Sequence, residues 1–236
     1  MKKFALLSLF ALFLTAYAAA QCGSNCLFYG GDLNLNDPNQ NGLSNENDAI
    51  VGGSPYGAAT YQNFTLSANS TATGLFTNNL SQLTPTNGYW EIRSGITEGN
   101  GGTLVASGTG AVSNTPTGRS DFGYTEYHNE VDGLNVALNG GTQYWLAVVP
   151  VCTTCAGRSF NSNTDGTNSI GTQQNNDQFF NSPFFGANFT NANSQGTFPA
   201  FSSGVVGTAV PEPSSLIMLG SGLVAAAGVV RRRLSR

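Results

Sequence analysis

Apolar and polar positions alternate with period two along much of the middle of the chain. Gly88-Tyr-Trp-Glu-Ile-Arg-Ser94 sets Trp90 and Ile92 on one face and Tyr89, Glu91 and Arg93 on the other, the signature of a half-buried strand. The same reading predicts strands over Tyr61–Leu66, Gly74–Leu80, Thr103–Ser107, Phe122–Glu126, Leu134–Leu138 and Gln143–Val151. The last carries an unbroken apolar run from Tyr144 to Val149 and predicts a central strand, with Gly140-Gly141 before it as a hairpin turn. Phe179, Phe180, Phe184, Phe185, Phe189, Phe198 and Phe201 supply aromatic weight for the final strands. Residues 23–55 are rich in Asn, Asp and Gly with few apolar anchors and predict an irregular N-terminal stretch. Asn161–Asp177 reads as a low-complexity loop anchored only by Ile170, and Ser202–Ala209 as a small, Gly-containing tether. No window between the two chain ends has helical spacing. Short strands joined by polar turns predict an all-β fold, an antiparallel β-sandwich of jelly-roll type.

The two ends differ from this pattern. Lys2 and Lys3, the apolar Phe4–Leu14 and the small residues Ala18-Ala19-Ala20 have the order of a secretory signal peptide, so the mature chain is expected to start near Gln21. Gln21 directly before Cys22 excludes a lipoprotein signal, which needs a small residue there. Ser214–Val230 has 17 residues and no charge, roughly 25 Å of helix and the lower limit for crossing a bilayer core. Arg231, Arg232, Arg233 and Arg236 follow it. Clustered arginines stay on the cytoplasmic side, which faces the rest of the chain outward. The missing polar face argues against a buried core helix. The expected organisation is a signal peptide (1–20), an Asn/Gly-rich segment (21–56), a β-sandwich ectodomain (57–201), a linker (202–210) and a C-terminal segment with one transmembrane helix (211–236).

That C-terminal segment, Val210-Pro-Glu-Pro-Ser-Ser215 followed by the apolar stretch and the arginines, resembles the PEP-CTERM sorting signal of Gram-negative bacteria. The resemblance implies that a membrane protease-transpeptidase, the exosortase, recognises Pro211, Glu212 and Pro213 and processes the protein for release or surface attachment. It further implies an inner-membrane-anchored precursor with a periplasmic ectodomain, destined for the cell surface or for secretion. The physical reading agrees, because prolines hold the chain extended and accessible at the edge of the helix. Eukaryotic lipid-anchor signals also end in a short apolar tail, but not in an arginine block. The middle of the chain resembles β-sandwich ectodomains of PEP-CTERM proteins, carried by residues 88–95, 101–108, 141–146 and 184–189. That likeness bears on fold and not on activity.

Charge narrows the function classes. Within residues 21–210 the only arginines or lysines are Arg93, Arg119 and Arg158, against twelve carboxylates. Phosphate backbones repel such a domain, so nucleic acid is excluded as a partner, whereas cations are attracted. The cysteines form two local pairs, Cys22/Cys26 and Cys152/Cys155. In an exported chain local disulfides are the simplest of three connectivities; a four-cysteine zinc site or a redox pair at Cys152/Cys155 are the alternatives.

Candidate chemistry is sparse. Asp37, Asn39, Asn41, Leu43 (through its carbonyl) and Asp48 have the spacing of a twelve-residue calcium loop with Gly42 at the bend, a candidate structural calcium site set against a plain Asn-rich turn. His128, the only histidine, lies two residues from Glu130 and shares its face if that stretch is a strand, a candidate base set against a polar loop or strand edge, which is the favoured reading. No nucleophile elbow or phosphate loop occurs and no catalytic residue is assigned. Glu91, Glu98, Glu126 and Glu130 are the acids a glycosidase would draw on, with nothing pairing them. Tyr89, Tyr124 and Tyr127 can stack on sugar rings if exposed. These observations rank a non-enzymatic, exopolysaccharide-associated surface or extracellular-matrix protein first, a carbohydrate-binding module second and a hydrolase third.

Overall fold

The computed structural model describes residues 22–37, 42–52, 55–172 and 176–211, together with Met218, Ser221 and Arg231. Fourteen strands carry these residues: β1 (Cys26–Tyr29), β2 (Gly42–Ser44), β3 (Asn47–Asp48), β4 (Ala59–Thr65), β5 (Ser70–Ser81), β6 (Asn87–Ser94), β7 (Thr103–Ala111), β8 (Ser113–Asp121), β9 (Tyr124–Leu138), β10 (Gln143–Cys152), β11 (Ser159–Ser162), β12 (Phe179–Ser182), β13 (Ala187–Asn191) and β14 (Ser203–Ala209). They build two sheets. The first runs β1-β14-β5-β11-β2, with β9 on the free side of β5 and β8 beyond it. The second runs β13-β12-β4-β10-β6-β7, with β3 on β10. Among the described residues the β3–β10 pair is parallel and the other strand pairs are antiparallel.

Period-two alternation accounts for the core. On β10, Tyr144, Leu146 and Val148 face the first sheet and meet Phe28, Leu75, Val131 and Val205, while Trp90 and Ile92 of β6 join from beside them. The intervening Trp145, Ala147 and Val149 point the other way and are buried too, under Tyr56, Tyr61, Ile96, Phe179 and Phe189. Both faces of β10 are covered, so its sequence is continuously apolar rather than alternating. Trp90 and Ile92 do lie on the face opposite Tyr89, Glu91 and Arg93, as their spacing predicts.

Several local expectations need correction. Ser203–Ala209 is no tether: β14 sits between β1 and β5. Its small residues are required there, since a Cβ on Gly204 would lie 2.3 Å from the Phe76 ring and one on Gly207 2.1 Å from the Thr71 carbonyl oxygen. The N-terminal stretch is structural as well, contributing β1 to β3 and the buried Phe28, Tyr29, Leu33 and Val51. Phe122 begins no strand. With Gly123 it forms the β8–β9 turn, φ 51° and 77°, the doubly positive type I′ geometry. Gly140-Gly141 joins strands of different sheets rather than a hairpin pair. Asn161–Asp177 is partly β11 and contains the buried Asn163 and Thr164, while Ile170 is 39% exposed and exchanges backbone hydrogen bonds with Tyr29.

The expected membrane stretch, Ser214–Val230, lies outside the described residues except for Met218 and Ser221, which are helical in backbone and exposed. Among the described residues no helix is long and apolar enough to cross a membrane.

Candidate functional site

The last strand delivers the sorting motif. Thr208 and Ala209 pair with Thr71 and Ser70, and Val210 N–H donates to the Asn69 carbonyl at 2.7 Å. Pro211 follows at once and is exposed. Glu212, Pro213, Arg232 and Arg233 lie outside the described residues; Arg231 is exposed. Asn69 also binds the β9–β10 connection, its Oδ1 accepting from Gly140 N–H at 2.9 Å, and Leu66 O accepts from Gly141 N–H at 2.8 Å. Gly207 N–H donates to Asn25 O at 2.9 Å. Residues 22–25, 66–69, 139–142 and 207–210 therefore form one end of the body. The N-terminal Cys22 and the C-terminal Val210 both leave from it.

The opposite end carries a cleft. Strand β5 runs from Ser70, opposite Ala209, to Ser81, opposite Thr125, a span of about 35 Å. Near its far end Gly42, Leu80, Phe122, Tyr124 and Phe160 line a mostly apolar cleft of about 200 Å³. Tyr124 meets Phe160 edge-to-face at 5.5 Å, and the Arg158 guanidinium lies 5.1 Å from the Phe160 centroid. Phe122 is 61% exposed although its φ is positive. A bulky side chain in that region is strained, and burial does not recover the cost. Of the three tyrosines singled out for sugar stacking, only Tyr124 lines the cleft. Tyr89 donates to Glu91 Oε2 at 2.9 Å and packs on Tyr56, and Tyr127 is half-buried on the alternate face of β9.

The three arginines are all committed. Arg93 meets Glu91 (2.9 Å), Arg119 meets Glu126 (2.6 Å) and Arg158 meets Glu46 (2.7 Å), and each of these glutamate side chains is fully buried. Tyr61 OH also donates to Glu91 Oε1. Burial is the leading influence on the Glu46 carboxyl and raises it from 4.5 to about 7, against the opposing pull of Arg158 and of Ser159 N–H. This arrangement was not legible in the sequence, because Glu46 and Arg158 lie 112 residues apart.

His128 and Glu130 do touch, at 3.3 Å, as their spacing on β9 allows. The hydrogen bond from His128 lowers the Glu130 carboxyl below its usual range. His128 Nδ1 is held by Asn78 Oδ1 at 2.9 Å, and its ring lies 4.6 Å from Phe76. The glutamates do not converge. Glu91 is on β6, Glu98 accepts from Asn191 N–H, and Glu126 and Glu130 are four residues apart on one strand, about 13 Å, wider than the spacing of a glycosidase pair.

Of the calcium-loop residues, the described Leu43 and Asp48 lie in different sheets. Asn39 and Asn41 lie outside the described residues. Asp37 accepts from Asn163 Nδ2 at 2.9 Å. Gly42 and Leu43 belong to β2 in the first sheet, whereas Asp48 ends β3 in the second. Asp48 Oδ1 caps the amides of Ile50 and Val51. Residues 42–48 run extended where a calcium loop would curl, because Gly42–Ser44 pairs with β11. Among the described residues no group of three or more His, Cys, Asp or Glu side chains is placed to hold a metal. The cysteines form the local disulfides Cys22–Cys26 and Cys152–Cys155, one at each end of the body.

Residues 209–233 match the family described as the PEP-CTERM protein-sorting motif. The chain thus carries that motif, consistent with an exosortase substrate, and the motif implies export and processing of a membrane-anchored precursor. No curated protein matches the chain.

Proposed function

We propose that this protein is a non-catalytic exported passenger. Its all-β body is displayed on the periplasmic side of the inner membrane, then released or attached at the cell surface once an exosortase-type enzyme has read Pro211, Glu212 and Pro213. The observation that carries this reading is the continuity of β14 with the matched motif, which leaves a folded body on one side and the apolar stretch with its arginines on the other. Replacing Pro211, Glu212 and Pro213 together by alanine is expected to leave the full-length precursor in the membrane fraction of the native host. Normal maturation of that variant would refute the reading.

A second reading concerns the body's task. The far-end cleft favours binding of a neutral saccharide. Its walls are rings that stack on the apolar face of a sugar, and Phe122 is held exposed against its backbone preference. The three arginines are engaged by buried glutamates, so an anionic glycan finds no unneutralised arginine in the body. The double variant Phe122→Ala/Tyr124→Ala is expected to bind labelled neutral exopolysaccharide about tenfold more weakly, ~1.4 kcal/mol. Unchanged binding by that variant would remove the cleft from consideration.

A further inference from the structure

Covalent geometry limits how far the body can stand from the enzyme that processes it. Among the described residues the last backbone hydrogen bond to the body is Val210 N–H to Asn69 O. Four residues later, at Ser214, the uncharged stretch begins. Four fully extended residues span at most about 14 Å. An enzyme gripping Pro211–Pro213 at the membrane surface therefore has no room to work clear of the body. The strand cannot lengthen the reach without losing the Thr208–Thr71 and Ala209–Ser70 pairings that hold it to β5.

We infer that the end of the body formed by residues 22–25, 66–69, 139–142 and 207–210 is a docking face for the outward surface of the membrane-embedded processing enzyme. This inference rests on the sorting reading above. The face suits that partner. None of its sixteen side chains is charged, so no charged side chain of the face loses its water on contact, and the α-amino group of a chain starting near Gln21 lies at its border. Ser24, Ser67, Asn139, Thr208 and Ala209 are exposed across it. The loops are tied together by Asn69 and Asn25, which makes the face a fixed surface rather than four independent loops. The first carboxylates met moving inward are Asp132, opposite Gly74, and Asp177, held by Gln143 Nε2 at 2.5 Å. The neighbouring β6–β7 turn contributes Glu98, which accepts from Asn191 N–H at 2.7 Å.

The test is made on the full-length chain in a host that holds the enzyme, following conversion of precursor to mature chain by pulse-chase. The triple variant Ser24→Glu/Ser67→Glu/Asn139→Glu is expected to mature at least about tenfold more slowly, since burying even one unpaired carboxylate at a contact exceeds ~1.4 kcal/mol. Moving the same three charges to the far end, as Gln82→Glu/Thr86→Glu/Thr153→Glu, leaves the rate unchanged. Inserting ten Gly/Ser residues between Val210 and Pro211 restores the rate of the first triple variant, because the body then clears the enzyme. Native maturation of the first triple variant without the insert would overturn the docking face while leaving the sorting reading intact. So would slow maturation that persists with the insert, which would place the effect in folding or export. Failure of the unmodified chain to mature would overturn both.

Discussion

Three glutamates define the chemistry of this body at the residue scale. Glu46, Glu91 and Glu126 are fully buried, and each takes one of the three arginines available to residues 21–210. Each of these three buried glutamates has its own cation, whereas the buried Asp48 is held by the Ile50 and Val51 amides instead, and an overall count of acidic residues hides the difference. Glu46 has a measurable consequence. Its carboxyl titrates at about 7 in the folded chain against 4.5 ordinarily, so folding takes up a proton between those values. The resulting stability is complete below pH 4.5 and is lost as pH rises through about 7. Urea midpoints measured from pH 4.5 to 8 are expected to fall across that window, and Glu46→Gln is expected to flatten the fall. Equal slopes in the two proteins would show that Glu46 does not titrate there. None of this was legible in advance, because nothing in the local spacing marks Glu46 as interior or links it to Arg158.

Elements were legible where a strand has one buried face or two continuously apolar ones. Gly88–Ser94 and Gln143–Val151 are of this kind, and β6 and β10 match them within a residue. Elements were illegible where the interior is polar or small. Asn79 and Asn161 are buried on β5 and β11, with Asn79 Nδ2 donating to Ser159 Oγ at 2.7 Å and Asn161 Nδ2 to Thr60 Oγ1 at 2.7 Å. The stretch with Asn161 reads as a loop for this reason, whereas Asn79 falls within Gly74–Leu80, where Leu75, Phe76 and Leu80 still mark a strand. Strand β14 reads as a tether for a related reason: Gly204 lies against Phe76 and Phe28, where only a hydrogen fits. Gly204→Val is accordingly expected to lower stability by about 3 kcal/mol, whereas the exposed Thr208→Val changes it by less than about 0.5 kcal/mol. Two near-neutral results by urea denaturation would restore the tether description. The candidate site divided in the same way. The sorting motif is a contiguous string and is plain in the sequence, while the cleft assembles five residues from β2, β5, β9, β11 and a turn.

Considered as a whole, the molecule is polarised. Both chain ends leave one end, where residues 22–25, 66–69, 139–142 and 207–210 carry no charged side chain, and β5 carries the first sheet about 35 Å to the other, where Arg158, Glu46 and the aromatic cleft lie. A body tethered through Val210 at the membrane points its cleft away from the bilayer. On the proposed function, the same cleft faces the surroundings of the cell after processing. The matched motif at the near end and the aromatic cleft at the far end are the basis of the proposed orientation, with the enzyme acting at the first and a ligand taken at the second. The account stands or falls on the fate of the C-terminus. Intact mass spectrometry of the mature chain recovered from the native host tests it most directly. The account predicts a chain that begins near Gln21, retains both disulfides, and lacks Ser214–Val230 and the arginines beyond it. A surface or secreted chain whose mass still includes Arg236 would contradict it.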